Sequence, residues 1–145
     1  MKTTWLTPKD IDRAWYLIDA EGQNLGRMST RVASLLIGKS KVQKVPNMDC
    51  GDYVIVVNAE KVDFSRKRLK EKMYYRHSGY AGGFKKETLE QLLSRKPDAV
   101  IRKAVKNMLP NTKLRKSMYA RLMVYSGPDH PHTAQKPEKI EVTSK

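Results

Sequence analysis

The run Tyr74-Tyr75-Arg76-His77-Ser78-Gly79-Tyr80-Ala81-Gly82-Gly83-Phe84-Lys85-Lys86 interleaves aromatic rings, glycines and cations. Each type suits one part of a nucleic-acid chain. Glycine lets a backbone approach a sugar-phosphate chain closely, an aromatic ring stacks on an unpaired base, and Lys or Arg neutralises phosphate. Arg76, Lys85 and Lys86 are the strongest candidates, because charged side chains in such a setting seldom lack a partner. Tyr75 and Phe84 fit a place in the core equally well. Just upstream, Ser65–Lys72 carries five Lys/Arg in eight residues: Arg66, Lys67, Arg68, Lys70 and Lys72. It reads as a mobile, hairpin-like loop between two strands that meets phosphate, with a merely solvated loop as the alternative.

A different phosphate chemistry is suggested by Gly22-Gln23-Asn24-Leu25-Gly26-Arg27, a glycine-containing turn between a predicted strand and a predicted helix. In mononucleotide-binding folds that position cradles phosphate on a helix N-terminus. The spacing is neither G-x-G-x-x-G nor G-x-x-x-x-G-K-[ST]. A tight turn with close helix-to-sheet packing is therefore favoured, with Arg27 placed to meet a backbone phosphate. A phosphate-binding α/β enzyme using this loop is the rival function.

Catalytic chemistry finds little support. Cys50 lies in Asp49-Cys50-Gly51-Asp52 with no histidine nearby in sequence, and reads as a buried or incidental thiol rather than a nucleophile. His130-Pro131-His132 invites a metal, but one cysteine and one further histidine do not complete a spaced ligand set. Two imidazoles hydrogen-bonding RNA, or plain loop packing, are the better readings. No Ser/His/Asp set or paired carboxylates emerge, and the basic half is short of acids for Mg²⁺ chemistry. The sequence thus predicts no catalytic residue, no metal, no cofactor and no small-molecule substrate.

The elements that must hold these residues are legible from periodicity. Trp15–Ala20 is a β-branched and aromatic strand ended by Glu21-Gly22. Leu25, Met28, Val32, Leu35 and Leu36 then recur at helical spacing, with Arg27, Arg31 and Ser34 opposite, Asn24 as cap and Gly38 as terminator. Tyr53–Asn58 is a continuous apolar strand, which implies burial on both faces. Met73–His77 is a third strand. Leu89, Leu92 and Leu93 line a helix ended by Pro97. Asp98 caps a further helix, with Val100, Ile101, Ala104, Val105 and Met108 on its apolar face and Arg102, Lys103 and Lys106 opposite. Leu122–Tyr125 is the last strand. This order predicts an α/β domain: a three-layer sandwich around a central, mainly parallel four-stranded sheet flanked by helices, with basic loops. The single domain spans residues 1–145, with irregular arms over about 1–13 and 128–145.

Charge is distributed unevenly over that plan. Residues 61–136 hold nineteen Lys/Arg against six Asp/Glu, while residues 1–60 hold eight against seven and 137–145 two against two. Ala99–Pro128 contains seven Lys/Arg and no acid. Solubility does not require such lopsidedness, and a concentrated positive field calls for a polyanion, most simply nucleic acid. A solvated basic face is the bland alternative. A single cysteine excludes an intramolecular disulfide and fits a reducing compartment. No stretch approaches the length of a membrane span, and Met1–Asp10 lacks a signal-peptide core, so the expected location is the cytoplasm. A membrane surface would favour a basic amphipathic helix rich in Trp, Phe and Leu, whereas Trp5 and Trp15 both lie in the charge-balanced half.

Val105-Lys106-Asn107-Met108-Leu109-Pro110, followed by Leu122-Met123-Val124-Tyr125-Ser126-Gly127-Pro128-Asp129-His130-Pro131-His132-Thr133-Ala134-Gln135-Lys136-Pro137, resembles the bacterial form of a universal ribosomal family, the thirteenth protein of the large subunit. Trp15–Ala20, Leu25-Gly26-Arg27, Gly51–Val56 with Asn58-Ala59, and Tyr74–His77 with Gly82-Gly83 match as well. The likeness covers about residues 13–142. It implies a three-layer domain with a central parallel sheet, a structural role in the large (50S) ribosomal subunit, binding to large-subunit (23S) rRNA, action early in subunit assembly and no catalytic activity. The implied partners are that rRNA and neighbouring large-subunit proteins. Carried over position by position, the rRNA-facing candidates are Arg27, Arg76, His77, Gly82, Gly83, Lys85, Lys106, His130 and His132. The basic runs add Arg66, Lys67, Arg68, Lys70, Lys86, Lys113, Arg115, Lys116 and Arg121. The chain departs from the usual family pattern at Val45-Pro46-Asn47, Ser65-Arg66 and Leu114-Arg115-Lys116.

Overall fold

A computed structural model describes residues 6–142, so Trp5 lies outside the described residues. Four strands form one parallel sheet: β1 (Trp15–Asp19), β2 (Tyr53–Val57), β5 (Leu122–Val124) and β6 (Glu138–Ile140), in the order β5-β2-β1-β6. The register sets Trp15 beside Tyr53 and Ile18 beside Val56, and the Trp15 and Tyr53 rings stack with centroids 4.2 Å apart. Because side chains alternate along a strand, Ile18, Val54, Val56, Leu122 and Val124 share one face. On that face they pack with the helices in a single core.

The helices are α1 (Leu25–Ile37), α2 (Arg66–Glu71), α3 (Leu89–Arg95), α4 (Pro97–Met108) and α5 (Arg115–Ala120). The sequence signals for α1 hold in detail. Asn24 Oδ1 accepts from the Gly26 N–H at 3.0 Å, and Gly38 closes the helix at φ 72°. At α4 the expected cap is displaced. Lys96 occupies the N-cap and Pro97 the first helical position, where its fixed φ and missing N–H are harmless. Asp98 sits inside the first turn instead, 3.6 Å from Arg102. Met108, expected on the apolar face, is exposed.

Three further expectations are corrected. Met73–His77 forms a strand (β3), but it pairs antiparallel with β4 (Phe84–Thr88) in a separate two-stranded hairpin. Its Arg76 and His77 are unsuited to a strand buried on both faces. The fourth strand of the main sheet is β6, three residues of the otherwise irregular C-terminal extension. The loop expected over Ser65–Lys72 is the helix α2. Its six residues contain no Gly or Pro, Leu69 packs against the core, and Lys67 lies 3.9 Å from Glu71 one turn away.

The second face of the sheet carries Trp15, Leu17, Tyr53 and Ile55, and its cover is irregular chain rather than helix. The connection from β5 to β6 runs back across the sheet, opposite in direction to the steps from β1 to β2 to β5. A right-handed crossover must therefore pass over the other face. Pro128, Pro131 and Pro137 keep it from being helical. His132 lies over Trp15 at 5.4 Å and its Nε2 meets the Tyr125 hydroxyl at 2.8 Å.

At the entry to β5 a charge is buried. Arg121 is 4% exposed. Its Nη1 and Nη2 engage both carboxylate oxygens of Asp49, while Nη2 also donates to the Leu36 carbonyl (3.2 Å) and Nε to that of Asp52 (3.3 Å). Gly51 is a packing necessity here, since a Cβ would lie 1.7 Å from the Leu36 carbonyl oxygen. Removing one member of such a pair strands the other in low dielectric. Arg121→Ala should therefore lose about 3–5 kcal/mol in urea unfolding, whereas Arg121→Met with Asp49→Leu should recover most of that loss.

Candidate nucleic-acid interface

The cations sort by the element that carries them. On α2, Arg66, Lys67, Arg68 and Lys70 are all exposed, and Leu69 anchors the helix beneath them. This helix packs against α3 and β4, which brings its charges beside the β3–β4 hairpin. The hairpin adds Arg76, His77, Lys85 and Lys86, all exposed. Arg76 and Lys85 are directly opposite each other across the strands. Like charges so placed oppose strand pairing, and an anion between them relieves that repulsion.

The base of the hairpin is anchored by Tyr74, half-buried against the core. Burial pushes its phenol above the ordinary tyrosine range, so the ring stays neutral. Two ammonium groups hold to its face, Lys103 at 4.6 Å and Lys72 at 5.4 Å from the centroid. Glu87 is taken up by Arg95 at 2.6 Å. At the tip, Gly82 adopts φ 71°, and the Gly83 N–H donates to Tyr80. Tyr75 and Phe84, which the sequence left between core and surface, are both exposed.

Elsewhere the candidates scatter. Lys106 is exposed on α4, and Lys113 and Lys116 are exposed before and within α5. Arg115 is half-buried and spends its guanidinium on the chain: Nε donates to the Pro110 carbonyl (3.1 Å) and Nη2 to that of Leu109 (3.2 Å). Arg121 is withdrawn from the interface, because its charge is buried and neutralised by Asp49. His130 and His132 are half-buried over the second sheet face, where the His132 N–H donates to His130 Nδ1 at 3.2 Å. They sit beside Trp15 and not with the hairpin.

The glycine turn is a packed turn. The Gly22 N–H donates to Lys61, that of Gln23 to Ala20, and the Gln23 carbonyl accepts from Asp63. Arg27 lies on the exposed side of α1, in an open groove with Thr30, Arg31, Ser34 and Glu141. Arg31 joins Arg27 there, as their shared polar face of α1 implied, whereas the contact of Lys72 and Lys103 with the Tyr74 ring was not legible in the sequence. Among the described residues no group of three or more His, Cys, Asp or Glu is arranged to hold a metal, and no helix is long and apolar enough to cross a membrane.

The family model described as Ribosomal protein L13 matches residues 13–131. The chain belongs to the ribosomal protein L13 family. The large ribosomal subunit protein uL13 of Symbiobacterium thermophilum is 51% identical over 141 residues, covering 97% of this chain and 99% of its own. That of Agathobacter rectalis is 52% identical with the same coverage, and that of Aquifex aeolicus 49% identical over 142 residues, covering 98% of this chain and 99% of its own. Ribosomal protein L13 is a structural, non-enzymatic family. Two departures from its usual pattern have structural places here: Ser65 is the N-cap of α2, and Leu114-Arg115-Lys116 opens α5.

In keeping with a non-catalytic chain, Cys50 is 2% exposed. A thiol reagent should leave it unmodified in the native protein and react at once in denaturant, and Cys50→Ser should lower stability by about 1 kcal/mol. Rapid native-state labelling would contradict the observed burial.

Proposed function

We propose that this chain is a structural constituent of the large (50S) ribosomal subunit. It binds 23S rRNA early in subunit assembly and works in the cytoplasm beside neighbouring large-subunit proteins. The observation that carries the rRNA reading is the joined cationic surface of α2 and the β3–β4 hairpin, whose strand carboxylate, Glu87, is already neutralised. The L13 family membership and the printed name of the relatives, large ribosomal subunit protein uL13, support the subunit assignment. The mechanism is charge neutralisation on a fixed scaffold: each lysine or arginine on a phosphate releases condensed counterions, and the sheet and core hold the basic elements in place.

Binding of the isolated protein to 23S rRNA should therefore weaken steeply with salt, log K falling by on the order of 0.7–0.9 per contact for each tenfold rise, with about five or more contacts. Lys85→Ala/Lys86→Ala should lower that slope by up to about two contacts with little change in stability. Asn24→Ala, which removes the α1 cap, should lower stability by about 1 kcal/mol and leave the slope unchanged. A slope near zero for the wild type, or loss of binding only in the Asn24 variant, would refute the proposal.

A further inference from the structure

The hairpin carries a second surface that charge does not explain. Its register places Tyr75 with Lys86, and His77 with Phe84, on the face opposite Tyr74, Arg76, Lys85 and Glu87. Tyr75 is 63% exposed and Phe84 58%, yet their rings stack on each other with centroids 5.5 Å apart and planes inclined by 20°. Tyr80, at the tip, is 80% exposed. Paired aromatics held open to solvent mark an interaction surface.

The surroundings select the kind of partner. Lys86 and His77 border the rings, and none of the strand residues on that face is acidic. The rings are also held in place. The Ser78 N–H donates to Gly83 (3.2 Å), the Gly83 N–H to Tyr80 (2.9 Å) and the Gly79 N–H to His77 Nδ1 (2.9 Å). A Cβ at Gly83 would lie 2.9 Å from the Tyr80 carbonyl oxygen, the acceptor of the Gly83 N–H, so the tight turn favours glycine there. Little ordering entropy is left to lose when a flat ligand docks. Flat, apolar faces joined to anionic links are the chemistry of unpaired nucleotides, since in a paired helix the base faces are covered by their neighbours.

We propose that Tyr75 and Phe84 form a stacking platform for unpaired bases of RNA, with Lys86 on the adjoining phosphate. The proposal rests on the RNA-binding reading above and adds to it: part of the affinity is insensitive to salt and specific to single-stranded segments.

The test uses the full chain with three RNAs: a 23S transcript, single-stranded oligoadenylate, and a blunt-ended RNA duplex of the same length as the oligoadenylate. Tyr75→Leu/Phe84→Leu should bind oligoadenylate about fivefold to a hundredfold more weakly with an unchanged salt slope, and the duplex within about twofold of wild type. Tyr75→Phe should behave as wild type. Ultraviolet cross-linking of wild-type protein to oligoadenylate should map to Tyr75 or Phe84, a readout that stands even where the double variant misfolds. Equal losses on paired and unpaired RNA, wild-type affinity in a double variant shown folded by circular dichroism, or cross-links only elsewhere would overturn the platform. Intact affinity for both RNAs with loss of incorporation into 50S particles would give the face to a protein partner and likewise overturn it. Failure of the wild type to bind any of the three RNAs would instead overturn the RNA-binding reading itself.

Discussion

The buried guanidinium of Arg121 is the constraint around which the rest is arranged. It enters from the residue preceding β5 and touches the last turn of α1 through the Leu36 carbonyl, the approach to β2 through Asp52, and the preceding loop through Asp49. A charge removed from water is tolerated only when it is paired and hydrogen-bonded, so these segments must meet at one point before the ion is satisfied. Around that point the chain has little latitude. Gly51 has no room for a side chain, and the 1%-exposed Asp52 carboxylate accepts from the Ala14 N–H at 3.0 Å and pairs with Lys41. Three strand entries, those of β1, β2 and β5, are thereby fixed relative to one another and to α1.

With that corner fixed, the remaining cations are available for the surface. The core is built almost wholly from aliphatic side chains contributed by one sheet face and the helices over it. The hairpin and α2 project from this body with few apolar anchors, chiefly Tyr74 and Leu69. Their charges repel one another more than local ion pairs offset, as the facing Arg76 and Lys85 illustrate. Such a surface gives up stability in the isolated chain that the proposed binding to RNA would return.

The helix α1 and the strands β1 and β2 were legible because their apolar residues recur at a clear period and their ends carry Asn24 and Gly38. β6 was not, since Glu138-Lys139-Ile140 pairs through its backbone at a sheet edge and leaves no apolar pattern. α2 was hidden for a related reason: at six residues, four of them cationic, it has one anchoring leucine and no stripe. The position of Arg121 was beyond composition altogether. Its seven-cation, acid-free stretch looks uniform in sequence, and only the fold turns one of those charges inward toward Asp49. For the hairpin, residue types pointed to exposed cations at Arg76, Lys85 and Lys86. The orientation of Tyr75 and Phe84 depended on the register that places both rings on the face opposite Tyr74.

The placement of β6 also bears on how the chain is made. β1 lies between β2 and β6, and its pairing with β6 joins residues as far apart in sequence as Tyr16 and Glu138. During vectorial synthesis β2 and then β5 can complete one side of the sheet, while the other edge of β1 keeps its amide and carbonyl groups unpaired until Glu138–Ile140 emerge. An open strand edge recruits other strands, and long-range parallel pairing is slow to form. The three residues of β6 therefore act as a closing seam: they cover the five-residue edge of β1 and put in its place a short edge that carries Glu138 and Lys139.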